Sequence, residues 1–306
     1  MDEIRARLNH PTFERIVSLL PVDPPIYLVG GAIRDALLNK SSYDLDFVTP
    51  VEALKIARKL ADELGGAYFP LDETRNVARI ILKPTGEGKS SDGQVMRVDI
   101  ANFQGADLIS DLKGRDFTIN AMALEVHHPG KVIDPTGGAA DLIAKHLRAC
   151  SEDAFQDDPV RILRAVRFSV NLGLTIQADT LKRMREAVVH LTEVSAERVR
   201  DELFRILTLP RPATSIRILD KLGALEVILP EVCLLKHVQQ PAPHVLDDWN
   251  HTMDIMNRLE SLLEVLSLDY NPDKASNLAL GMVLLQLGRY REQIAEHLSS
   301  GLNPDR

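Results

Sequence analysis

The hydrophobic pattern of this chain changes character near residue 140, and that change limits what the chain can fold into. Ahead of it, short apolar runs broken by turn residues read as strands interleaved with helices. Residues 26–29 form a strand candidate ending at Gly30-Gly31, and residues 44–48 form a second. Residues 77–82 and 95–100 flank a polar Gly/Ser-rich stretch at 84–93 that reads as a hairpin loop. Residues 33–38 look like a short helix, and residues 51–64 carry apolar side chains at helical spacing up to a stop at Gly65-Gly66. Residues 118–126 read as helical at their start, and residues 131–133 as a short strand before Asp134-Pro135. Beyond residue 140 the strand signals vanish, leaving helices punctuated by Gly173, Pro210, Pro212, Gly223 and Pro230, with a hinge at 240–243. The expected class is α+β, a head with a small mixed sheet followed by an all-α remainder.

The 306 residues exceed one small core and suit two or three domains. Hydrophobic and charged fractions of 45% and 26% are those of an ordinary globular chain. No segment approaches the ~18 uninterrupted apolar residues of a membrane span. The first ten residues carry charges and lack an apolar signal core, so the cytoplasm is the expected compartment. Cys150 and Cys233 are too few and too far apart for a disulfide framework or a paired zinc site, and read as buried thiols. A net charge of −8 excludes a protein that coats nucleic acid nonspecifically, which requires a basic surface. Between Asp157 and Arg211, however, ten Lys/Arg stand against eight Asp/Glu, so RNA contact is to be sought there first.

Asp44-Leu45-Asp46 is the strongest chemical signal. In a strand its two carboxylates share one face, about 7 Å apart at Cα. Such a pair suits shared divalent ions, since hard cations take oxygen ligands and bridge a triphosphate. A solvated strand edge produces the same tripeptide. Upstream, Gly30-Gly31-Ala32-Ile33-Arg34-Asp35 gives a strand, two glycines and a helix, which can cradle phosphates or simply turn the chain. Asp99 offers a third carboxylate from a neighbouring strand, or a paired one. Arg115-Asp116-Phe117-Thr118-Ile119-Asn120 fits ribose and phosphate recognition as well as helix capping by Asp116 with an ion pair from Arg115. Arg161, Arg164 and Arg167 lie along one drifting helix face. Their mutual repulsion calls for anionic partners, either Asp/Glu side chains or a triphosphate.

Together these strings resemble the class II tRNA nucleotidyltransferase and bacterial poly(A) polymerase family of the polymerase-β nucleotidyltransferase superfamily. The first signature is similar to residues 28–38, followed by Tyr43-Asp44-Leu45-Asp46-Phe47. Residues 115–122 resemble the second, Asp134-Pro135-Thr136-Gly137-Gly138 the next, residues 157–168 the fourth, and residues 197–203 the helix that supports the neck. The resemblance implies a polymerase-β-like head at 1–145, a helical neck with base recognition at 146–210, and a helical body at 211–306. It implies that Asp44 and Asp46 hold two Mg²⁺ ions, with Asp99 as a further catalytic carboxylate. Gly30, Gly31 and Arg34 would meet the nucleotide phosphates, and Arg115, Asp116 and Asn120 the ribose and phosphates. Arg164 and Arg167 would hold the triphosphate. Asp158 and Arg161 would act as an amino-acid template that admits cytosine and adenine edges.

The implied activity is template-independent addition of CMP, AMP or both, from CTP and ATP, to the 3′ end of tRNA. Poly(A) addition to general RNA and a catalytically lost nucleotide-binding regulator are the alternatives. Three departures qualify this. Asp157 stands where the fourth signature usually has Glu. The span from Val98-Asp99-Ile100-Ala101 to Arg115 lacks the flexible loop that, in full CCA-adding members, bears on the switch from CTP to ATP, so addition restricted to C or to the terminal A is implied. His244, Trp249, Asn250, His251 and Thr252 resemble the start of a phosphohydrolase domain, yet residues 282–288 lack its later His-Asp doublet. That region therefore reads as a helical remnant, with His251 structural.

Overall fold

The computed structural model describes residues 11–83, 95–128, 130–238, 246–267, 270 and 278–301. The 84–93 connection, the 240–243 hinge, His244 and the ten N-terminal residues lie outside these. The chain divides into two compact units, one of residues 1–161 with 174–183, the other of residues 162–173 with 184–306.

The first unit is built on a six-stranded mixed sheet. In chain order its elements are α1 (Pro11–Leu19), β1 (Tyr27–Val29), α2 (Gly31–Leu37), β2 (Asp44–Thr49), α3 (Ala53–Leu64), β3 (Ala67–Asp72), β4 (Val77–Leu82), β5 (Met96–Asn102), α4 (Leu108–Lys113), a 3₁₀ turn (Thr118–Asn120) and β6 (Ala123–Glu125). Then come α5 (Gly138–Ile143), β7 (His146–Leu147), α6 (Ala154–Asp157), β8 (Thr175–Ile176) and the start of α8 (Ala178–Ala187), while of α7 (Arg161–Leu172) only Arg161 belongs to this unit. The sheet order is β3-β4-β5-β2-β1-β6, with β2 and β5 parallel and the other neighbours antiparallel.

Alternation along the strands puts Leu45, Phe47, Ile80, Val98 and Ile100 on one face, where they form a core with Ile56 and Leu60 of α3 and Ile33 of α2. Each such side chain contributes about 1.5–3 kcal/mol on burial. Gly65 ends α3 in the left-handed conformation at φ 65°, as the glycine doublet predicts. β3 is an edge strand with Pro70 beside a register shift, a place where a missing N–H is tolerated.

Residues 118–126 are helical at their start, as expected, in a single 3₁₀ turn, after which Ala123–Glu125 forms β6 against β1. Two expectations are corrected. Residues 131–133 supply only a bridge from Ile133 to Ala123. Strand pairing also continues past residue 140, since His146–Leu147 and Thr175–Ile176 form a two-residue parallel ladder too short to leave a sequence pattern.

In the second unit α7 continues from Ile162, and beyond α8 come α9 (Ala196–Leu207), α10 (Pro212–Leu222), α11 (Ala224–Ile228), α12 (Pro230–Leu234), α13 (Asp248–Leu266), α14 (Leu278–Leu287) and α15 (Arg291–Gly301). α10 has proline in its first turn and Gly223 at φ 79° just past its end, the asymmetry that helix termini favour. Trp249 of α13 is buried, with the Lys236 ammonium 5.2 Å from its ring. Among the described residues no helix is long and apolar enough to cross a membrane.

Candidate active site

The face of the sheet opposite the core is polar where the strands carry their charged residues. β2 presents Asp44 exposed and Asp46 half-buried, while Leu45 and Phe47 point into the core. The parallel register of β5 sets Asp99 beside Asp46 and Arg97 beside Asp44. β4 then sets Arg79 beside Asp99, and the guanidinium grips that carboxylate through Nε at 2.9 Å and Nη2 at 2.8 Å, a two-pronged charge-assisted contact. The Asp46 carboxyl is pushed up to about 6, first by burial and next by the negative charge of Asp99, with Asp44 adding to it and Arg115 and Arg79 opposing. A cavity of about 400 Å³ opens beside Asp44, with Asp35, Tyr43 and Arg97 in its walls.

Gly30 joins this row to the loop after β1. It sits at φ 74°, and its N–H donates to the Met122 carbonyl at 3.2 Å. A Cβ there would lie 3.2 Å from Arg115 Nη1, 3.5 Å from Asp46 Oδ2 and 3.8 Å from the Asn120 carbonyl oxygen. Glycine is therefore needed for its backbone, and it lets the Arg115 guanidinium come closer than a side chain comfortably allows, with Asp46 and Asn120 in ordinary contact range. At Gly31 a Cβ would stand 3.5 Å from Arg34 Nη2. Arg34 donates through Nε to Asp35 at 2.9 Å and through Nη1 to Asn120 Oδ1 at 2.7 Å. Asn120 in turn donates to Asp116 Oδ1 at 3.1 Å, and that oxygen also accepts the Phe117 N–H at 2.7 Å. Asp116 and Asn120 are buried, so this relay fixes the 3₁₀ turn.

Two further carboxylates support the site: Asp111, which the sequence did not single out, and Asp134, which heads a signature string but was given no role. Asp111 accepts from Arg115 Nε at 3.3 Å and Nη2 at 3.1 Å, and its other oxygen takes the Gln104 N–H at 2.9 Å. Arg115 thus turns to α4 for its ion pair, whereas the capping alternative had paired it with Asp116. The spacing of four between Asp111 and Arg115 is a helical neighbour signal that could have found it. Asp134 accepts the N–H groups of Gly138 and Ala139 at 2.8 and 3.0 Å. A Cβ on Gly138 would fall 1.9 Å from the Thr118 carbonyl. The Asp134–Gly138 string therefore clamps the turn that carries Asn120.

Arg161 opens α7 and donates to the carbonyls of Gly114 at 3.1 Å and Arg115 at 3.4 Å, while its own N–H is taken by the Asp158 carbonyl at 3.1 Å. Arg164 and Arg167 belong to the second unit. There buried Glu202 of α9 receives Arg167 at 2.8 Å, Arg205 at 2.7 Å and Arg164 at 3.8 Å. Burial holds the Arg167 pKa below its usual value. The anionic partner demanded by their spacing is thus, in this unit, a side chain.

Among the described residues no group of three or more His, Cys, Asp or Glu is arranged to hold a metal ion. Asp44 and Asp46 nevertheless fit Mg²⁺, which uses one or two carboxylates and completes its shell with water and phosphate oxygens.

Comparison with known proteins places these features in context. The Poly A polymerase head domain matches residues 26–148, and the domain described as "Probable RNA and SrmB- binding site of polymerase A" matches residues 173–235. The CC-adding tRNA nucleotidyltransferase of Geobacter sulfurreducens is 46% identical over 60% of this chain and 40% of its own length. The A-adding tRNA nucleotidyltransferase of Deinococcus radiodurans is 37% identical over 81% of this chain and 55% of its own. The structure of a Thermotoga maritima CCA-adding enzyme complexed with tRNA aligns with a TM-score of 0.67 at 25% identity, over 98% of this chain and 75% of that one. The chain spans about half the length of the curated relatives it matches.

Proposed function

We propose, for a chain that belongs to the class II tRNA nucleotidyltransferase and bacterial poly(A) polymerase family, that it adds CMP from CTP to the 3′ end of tRNA. The observation that carries this is the Asp44–Asp46 pair on the open sheet face, with Gly30 and Arg115 packed against it. In this reading residues 1–145 are the catalytic head, 146–210 the neck and 211–306 the body, and the tRNA substrate sets the cytoplasm as the place of work.

Asp44 and Asp46 would hold the divalent ions, which when bound polarise phosphate oxygens and sharpen the attacking hydroxyl. The protein supplies positioning and fixed charge. Gly30, lacking a side chain, lets a phosphate approach the β1 turn, and Arg115, braced by Asp111, directs positive charge at it. Arg34 and Asn120 hold each other in place for the ribose and the phosphates. The terminal hydroxyl of the RNA attacks the α-phosphorus in line as the bond to pyrophosphate breaks. Asp158 accepts from the exocyclic amine of the base, and Arg161 donates through the N–H groups that the Gly114 and Arg115 carbonyls leave over. Arg164 and Arg167 are left out of this assignment because Glu202 holds both.

Restriction to C is supported by the connection from β5 to Arg115. It consists of little more than α4, closed by a reciprocal capping box between Asp107 and Ser110 and tied by Asp111 to Gln104 and Arg115. The family's flexible loop has no counterpart in it, and the relative at 46% identity is named CC-adding.

The test is incorporation of labelled CTP and ATP, separately and together, into tRNA transcripts ending before CCA, after the first C and after both. Two Cs without a terminal A is the expected result, abolished by Asp46→Ala in a protein that still folds. A terminal A on the longest transcript would overturn the restriction to C. Long A tracts on any RNA would overturn the tRNA reading, and no transfer at all would overturn the activity.

A further inference from the structure

The row of the sheet that contains the catalytic carboxylates does not stop at Asp99. Register partners share a face, and Asp46 opposes Asp99, Asp99 opposes Arg79, and Arg79 opposes Phe69 on the edge strand β3. With strands ~4.8 Å apart, Phe69 stands ~10 Å from Asp99 and ~14 Å from Asp46 along this row. Phe69 is 45% exposed, whereas its neighbour Tyr68 packs against the core on the other face. Arg79 between them is held flat by Asp99 through Nε and Nη2, which leaves three of its five N–H donors for another acceptor. Exposed Arg97 lies in the next row, opposite Asp44.

The direction of attack says what this face is for. Gly30 follows β1, and Arg115 and Asn120 crowd against it, so the groups assigned to the incoming nucleotide lie on the β1 and β6 side of Asp46. In-line displacement puts the attacking and leaving oxygens on opposite sides of the phosphorus. A hydroxyl attacking opposite the pyrophosphate would then come from the other, β5 side of Asp46.

We infer that the open face of β3, β4 and β5 seats the 3′ end of the acceptor RNA, with Phe69 stacking on a base near the terminus and Arg79 holding a backbone phosphate. The inference rests on the nucleotidyl-transfer reading above. The chemistry matches: a single-stranded end offers a π-face and a phosphate in succession, and aromatic stacking platforms flanked by cations are how such ends are held without sequence preference.

The experiment uses the full chain and a tRNA transcript lacking CCA. Phe69→Ala should raise the KM for tRNA about tenfold while leaving the KM for CTP unchanged, and should weaken binding of fluorescein-labelled tRNA without nucleotide by a similar factor. Phe69→Tyr should restore both, and because Phe69 is an exposed edge residue the thermal midpoint should not move. An unchanged KM for tRNA in Phe69→Ala, or a rise confined to CTP, would overturn the inference. Should the wild-type chain transfer nothing, the activity reading falls by itself. The binding measurement then decides alone: weaker binding by Phe69→Ala supports the RNA seat, and equal binding overturns it.

Discussion

Replacing Gly30 by alanine isolates the contribution of one backbone position to catalysis. At φ 74° and ψ −131° the residue occupies a region essentially closed to side chains, which costs about 1–3 kcal/mol when a Cβ is present. For a unit of this size that is a fall of roughly 3–9 °C in the thermal midpoint. The new methyl group also arrives 3.2 Å from Arg115 Nη1, which must give by a few tenths of an ångström, and in ordinary contact with Asp46 Oδ2 at 3.5 Å. Displacement of a catalytic group by ~1 Å is worth on the order of 10²-fold in rate, so this smaller shift should cost roughly up to tenfold. Gly65→Ala is the matched control, because Gly65 also has positive φ but its Cβ would meet nothing within 4 Å. Thermal melts and single-turnover CMP transfer should show both variants destabilised and only Gly30→Ala catalytically impaired. Equal kcat in the two variants would refute the claim that Gly30 spaces Asp46 from Arg115.

Glu202→Ala strips three arginines of their common carboxylate, and urea denaturation should show a loss of about 3–5 kcal/mol, with Glu202→Gln milder. Gly138→Ala drives a methyl group into the Thr118 carbonyl; circular dichroism should show a protein destabilised by at least ~3 kcal/mol, beyond ordinary overpacking. The Asp46 carboxyl, raised from 3.8 to about 6, keeps its proton in the folded state between about pH 4 and pH 6, while the unfolded chain gives it up. The folded state then binds more protons than the unfolded one, so this group removes stability as the pH rises through that window. Denaturant titrations of metal-free protein should show that slope, and Asp46→Asn should flatten it.

Legibility in the sequence followed the range of each interaction. Asp44 and Asp46 could be placed on one face from alternation alone, and Gly65 marked a helix end, because both signals are local. β3 escaped because Pro70 argues against a strand unless the strand lies at an edge beside an irregularity, and edge position is a property of the assembled sheet. α4 escaped because six residues are too few for a periodicity, although Asp107 and Ser110 at its start carry a capping signal. Arg79 looked like any solvent-facing charge in an alternating strand until the register of β4 on β5 put it on Asp99. The spacing of Arg164 and Arg167 did announce an anionic partner. It could not choose between ligand and protein, because Glu202 lies 35 residues beyond Arg167.

The order β3-β4-β5-β2-β1-β6 also has a consequence for how the protein is made. β1 and β2 can pair as soon as residue 49 is available, but β2 meets β5 only after the whole β3–β4 excursion, and β1 gains its second neighbour only with residues 123–125. Until residues 96–102 arrive, Asp44 and Asp46 sit on a strand with one open edge, with neither Asp99 nor Arg115 beside them. On a ribosome, where the chain lengthens from its N-terminus, β2 is the second of the six sheet strands to be synthesised, yet it gains its second neighbour only after β3 and β4 have been made. Pairings of such sequence separation are slow to form. The nascent sheet thus passes through a stage in which a half-apolar strand has one edge exposed, the period in which chaperone shielding would protect it from edge-to-edge association.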